Sequence, residues 1–126
     1  MKLFGGSTIQ CSEPKRAGMS VEPIVPPVTQ PDQCQTMSEV RAGVDAIDRQ
    51  LVALLAKRFA YMDAAARIKT TRNAVRDEAR KMQVIDNVRA RAMALGLPEQ
   101  LLTRIWDDLV EGSIVYELDR WDQLRP

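Results

Sequence analysis

The stretch TMSEVRAGVDAIDRQLVALLAKRFAYMDAAARIK, residues 36–69, decides the fold. It opens on Thr36-Met37-Ser38-Glu39, a capping-box pattern in which Thr36 is the N-cap and Glu39 the third helical position. Val40, Val44, Ile47, Leu51, Leu54, Leu55, Met62, Ala65 and Ile68 then recur at helical spacing. No glycine or proline interrupts it between Val44 and Thr71, so one helix of about 33 residues is predicted, roughly 50 Å long at about 1.5 Å per residue. Thr70-Thr71-Arg72-Asn73, poor helix formers whose side chains bond locally, break it.

Working outward, a second helix is predicted from about Asp77 to Leu95, ended by Gly96 at the C′ position. Pro98 suits the first turn of a third, which runs to about Gln123. Its apolar stripe holds Leu101, Leu102, Ile105, Trp106, Leu109, Val110, Ile114, Leu118 and Trp121. No segment alternates with period two for long enough to make a strand, so the fold class is all-α. One long and two shorter helices cannot enclose the long stripe, and monomers avoid large exposed apolar patches. An intertwined homodimer of three-helix chains is therefore expected; a three-helix monomer is the alternative.

Upstream, residues 1–36 hold Pro14, Pro23, Pro26, Pro27 and Pro31 together with Cys11 and Cys34, and show no apolar periodicity. They read as a flexible or surface-hugging leader, with the folded domain over 37–126. Met1-Lys2-Leu3-Phe4 is followed at once by Gly5-Gly6-Ser7-Thr8, so no apolar targeting core forms. No apolar run of about 18 residues suggests a membrane span. Both cysteines fall outside the helical unit, which points away from a core disulfide and toward a reducing cytoplasm.

Composition narrows the chemistry. The chain has no histidine, which excludes the usual triads and imidazole bases. With two cysteines and no Cys-x-x-Cys, a metal site lacks ligands, and no glycine-rich phosphate loop suggests a nucleotide cofactor. Any reaction must rest on Arg, Lys, Asp, Glu, Ser and Tyr. Residues 66–91 carry an excess of five positive charges against a whole-chain net of +1. The near-neutral total, with no interleaved aromatics, argues against nucleic acid. A solvated face is the ordinary explanation of such a run, and a funnel for a small anion the sharper one.

Charge also stands where leucine belongs. Arg58 lies seven positions after Leu51 and three after Leu55, on the stripe itself. Lys69 follows eleven positions later, about 20° round the helix and roughly 16 Å along it. Each needs a carboxylate or a ligand, because an unpaired buried cation costs several kcal/mol. An internal salt bridge would satisfy either one. Arg41, 17 positions before Arg58, is rotated about 100° off that face, a position better suited to a neighbouring subunit's site. Ser113 and Glu117 repeat the anomaly one turn apart on the third helix.

Val40-Arg41-x-x-Val44-x-x-Ile47-Asp48-x-x-Leu51-Val52-x-Leu54-Leu55-Ala56-x-Arg58, with Lys69, Val75-Arg76-Asp77-x-x-Arg80 and Ser113-x-x-x-Glu117, resembles the all-helical chorismate mutase family over residues 38–121. The resemblance implies rearrangement of chorismate, a small dianion, to prephenate in aromatic amino-acid biosynthesis, without cofactor or metal. It implies that Arg58 binds a substrate carboxylate and that Arg41 reaches the partner subunit's site. Lys69 would meet the ether oxygen whose bond breaks, Glu117 would face the same oxygen, and Ser113 would sit by the ring carboxylate. Asp77 and the backbone near Arg80 would hold the ring hydroxyl. The family carries Gln or Glu at the place of Glu117; a glutamate donates a hydrogen bond only when protonated, so activity is expected to fall as pH rises.

Isochorismate pyruvate lyases, of salicylate and siderophore pathways, share the fold and most of these residues. They carry an Ala-Pro-type loop near Asp77 and Gln at the place of Glu117, so this pair leans toward the mutase, while Tyr61 and Trp121 resemble the lyase branch. An aminodeoxychorismate mutase would use the same machinery. A non-enzymatic dimerisation or regulatory module is the alternative of another class, and its helices would gain nothing from buried cations.

Overall fold

The structure, a computed structural model, describes residues 28–126. The readings of Met1–Thr8 and of Cys11 lie outside the described residues. Three helices carry the fold: α1 (Met37–Ile68), α2 (Glu78–Ala94) and α3 (Glu99–Leu124). Short 3-10 turns at Pro31–Gln33 and Arg72–Ala74 precede α1 and α2. No strand occurs among the described residues. The chain divides into two compact units between Arg58 and Phe59.

In the first unit the capping box forms as its residues dictate. Thr36 Oγ1 accepts from the Glu39 amide at 3.2 Å, and Glu39 Oε1 accepts from the amides of Gln35 (2.8 Å) and Thr36 (3.1 Å). These bonds, Gln35's first, hold the Glu39 carboxyl below the usual range. The 28–36 segment folds back on the helix start, with Thr29 Oγ1 donating to Glu39 Oε2 at 3.2 Å. Cys34 has a free thiol, which lies 3.4 Å from the Gln30 carbonyl. The apolar stripe of α1 stays open to solvent within one chain: Val44 is 52% exposed, Leu51 50% and Leu54 46%.

The second unit has the core. Val75, Val110 and Ile114 are buried together, with Val84, Leu118 and Trp121 packed against them. Phe59, on the last stretch of α1, meets the Tyr116 ring edge-on at 4.9 Å between centroids. One turn further on, Asp63 Oδ1 accepts from Tyr116 Oη (2.7 Å) and Arg120 Nε (3.0 Å). Donating to that carboxylate raises the Tyr116 phenol above its ordinary range.

Helix α2 ends in a Schellman motif. Gly96 has φ 70°, its amide donates to Met93 O (3.1 Å), and the Leu97 amide donates to Ala92 O (2.8 Å). Glu111 of α3 ties α3 to α2 and the residues before it: Arg76 Nη2 reaches it at 2.7 Å and Lys81 Nζ at 2.6 Å, and Asp107 meets Lys81 at 3.0 Å. Arg76 first, then Lys81, pull the Glu111 carboxyl down to about 2. A carboxyl depressed on folding contributes stability above its ordinary range and loses it as pH falls through the folded value, so this tie persists to about pH 2. Its exposure keeps that contribution small.

Candidate active site

The polar anomalies of α3 are buried as their helical positions require: Ser113 is 3% exposed and Glu117 4%. The Ser113 hydroxyl donates back to Leu109 O at 2.6 Å, which supplies a partner for one buried polar group within its own helix. Glu117 is answered by the far end of α1. Lys69 Nζ stands 2.7 Å from Glu117 Oε2, and it also donates to the Val75 carbonyl at 3.4 Å. Oε2 is fully buried, and this ammonium is the partner that answers its charge. A buried carboxylate paired with one ammonium is an ionic group inside an apolar setting, where its charge is screened little by water.

Lys69 lies one residue past the end of α1, its amide still donating to Ala65 O at 2.9 Å. Its carbonyl is held from α3 and its C-cap: Trp121 Nε1 donates to Lys69 O at 3.1 Å, and Arg125 Nη2 donates to the same oxygen at 2.8 Å. Two residues beyond Val75, Asp77 is the N-cap of α2 and its Oδ1 accepts from the Arg80 amide at 3.0 Å. Asp77 and the Arg80 backbone are therefore one linked group. The Arg80 side chain is exposed and donates to Gln83 Oε1 at 2.6 Å.

The second unit thus brings together Lys69 and Glu117, with Ser113 one turn away on α3 and the Asp77–Arg80 cap following the Val75 carbonyl that Lys69 bonds. Arg41 and Arg58 belong to the first unit, Arg41 exposed and Arg58 half-buried on α1. Much of the basic run over 66–91 is neutralised locally. Arg72 pairs with Asp122, Arg76 and Lys81 with Glu111, and Arg89 with Asp86. That pairing favours a solvated, ion-paired face over an open funnel for a small anion for most of the run. The Val75 carbonyl and the Arg125 donors had no signal in the sequence, because each partner is distant along the chain or is main chain.

Residues 40–118 match the family model for chorismate mutase type II, more than half of the chain. The chain belongs to this family. Over 95 residues it is 24% identical to the isochorismate pyruvate lyase of Pseudomonas aeruginosa, a match covering 75% of this chain and 94% of that protein. Membership agrees with the all-helical architecture of the described residues, and the matched span contains Arg41, Arg58, Lys69, Asp77, Arg80, Ser113 and Glu117. Among the described residues no helix is long and apolar enough to cross a membrane.

Proposed function

We propose that the protein is a chorismate mutase, acting in the cytoplasm as an intertwined homodimer through its 37–126 domain. The observation that carries this reading is the Lys69–Glu117 pair, a buried carboxylate with an ammonium 2.7 Å away on one side of a family-typical site. The rearrangement breaks the ether C–O bond while a C–C bond forms within the same molecule, and negative charge grows on the ether oxygen. Lys69 supplies a cation at that atom, and Glu117 supplies a donor when it holds a proton. Arg58 binds a substrate carboxylate with its planar fork. Ser113 lies by the ring carboxylate, and the Asp77–Arg80 cap holds the ring hydroxyl. Arg41 is contributed by the second copy, and the exposed stripe of α1 is the surface that copy covers. Fixing the compact conformer of the substrate supplies the remainder of the barrier reduction.

The isochorismate pyruvate lyase reading is kept alive by the relative named above. Asp77 and Glu117 favour the mutase, given the Ala-Pro-type loop and Gln implied at these places for the lyases.

The pH–rate profile tests the role of Glu117. A glutamate donates to the ether oxygen only when protonated, whereas a glutamine donates at any pH. Turnover of chorismate is expected to fall as pH rises from 5 to 8, and Glu117→Gln, a permanent donor, should flatten the profile. A wild-type profile already flat over that range removes Glu117 as a proton-dependent donor.

A further inference from the structure

Within the second unit, the end of α3 meets the end of α1. With α1 ending at Ile68, the carbonyls of Ala66 and Arg67 lack helical amides to accept from, as does that of Lys69 beyond the helix. Arg125 reaches all three: Nη1 donates to Ala66 O at 3.0 Å, and Nη2 donates to Arg67 O at 3.2 Å and to Lys69 O at 2.8 Å. Its guanidinium lies 4.4 Å from the Trp121 ring centroid, and that ring's Nε1 donates to Lys69 O as well. A cation at this end of α1 also opposes the negative pole of the helix. In the same turn of α3, Asp122 grips Arg72 at 2.9 and 3.2 Å, pinning the loop that follows Lys69.

We propose that Trp121 and Arg125 form a clasp that positions Lys69 for catalysis. The clasp fixes the carbonyl of Lys69, which lies just past the end of α1. The Lys69 amide still donates to Ala65 O at 2.9 Å, but its carbonyl has no helical amide to accept from, and the two donors converging on Lys69 O fix that side of the residue while Nζ holds its station near Glu117 Oε2. Arg125 and Trp121 are positioning residues, acting through Lys69 rather than on the substrate. The inference rests on the reading of Lys69 given above.

A double-mutant cycle tests it, using the full chain and whichever of chorismate or isochorismate the wild type turns over. Arg125→Ala is expected to lower kcat about tenfold with KM changed much less, because displacement of a catalytic group by a fraction of an ångström is felt in the transition state. Trp121→Phe, which deletes the Nε1 donor and keeps a ring under the guanidinium, should lower kcat in the same sense by a smaller factor. It serves as the second variant if Arg125→Ala folds poorly by circular dichroism. In a Lys69→Ala background both losses should vanish. Equal fold losses in the two backgrounds, or an unchanged kcat in the single variants, overturn the clasp. A wild-type protein that turns over neither substrate overturns the functional reading instead.

Discussion

Lys69→Ala is expected to lower kcat with chorismate by about 10²–10³-fold, the loss typical of removing one preorganised partner of a developing oxyanion, about 3–4 kcal/mol in the barrier. The argument runs from the geometry. Lys69 Nζ is 2.7 Å from a carboxylate oxygen that is buried, so its charge acts where water screens little. The same variant leaves Glu117 buried without its cation, which costs stability as well as rate. Adding Glu117→Gln removes the stranded charge. The double variant should therefore regain thermal stability relative to Lys69→Ala while staying inactive. Steady-state kinetics and thermal unfolding on the three proteins check this. A Lys69→Ala enzyme within a few-fold of wild type removes Lys69 from the mechanism.

The second large effect concerns the two arginines of the first unit. Arg58→Ala and Arg41→Ala are each expected to lose most activity, at least about 100-fold for a charge-assisted carboxylate contact made in a buried site. If Arg41 serves the partner subunit's site, mixing the two inactive variants restores turnover. In a heterodimer one site carries both substitutions and the other carries neither, so random exchange of subunits should recover about a quarter of wild-type activity. Subunits of each variant, unfolded together and refolded, provide the measurement. No recovery, with heterodimers shown to be present, places both arginines in the same site of the same chain.

How much of this was legible beforehand follows from how local each feature is. The capping box at Thr36 and Glu39, the long stripe of α1 and the Gly96 stop are set within a few residues, and the sequence reading matches the structure to within a residue or so. Ser113 and Glu117 were legible as buried polar positions because helical register alone places them among Val110, Ile114 and Leu118. The return of the Ser113 hydroxyl to Leu109 O is equally local and was not foreseen, since the residue type alone does not choose between its own helix and a ligand. The 3-10 turns at 31–33 and 72–74 escaped notice because single turns leave no periodicity. The Glu111 tie and the Arg125 clasp join residues 30 or more positions apart, a separation over which charge pattern in one sequence says nothing about pairing. Resemblance supplied the order of the site along the chain, and the structure added that Asp77 and the Arg80 amide act as one capped group.

The measurement that reaches the central claim most directly is product identification after incubating the protein separately with chorismate and with isochorismate. Prephenate formed from chorismate, with no salicylate and pyruvate from isochorismate, is the predicted result. Salicylate and pyruvate released from isochorismate with chorismate left intact, or no turnover of either compound, would contradict it.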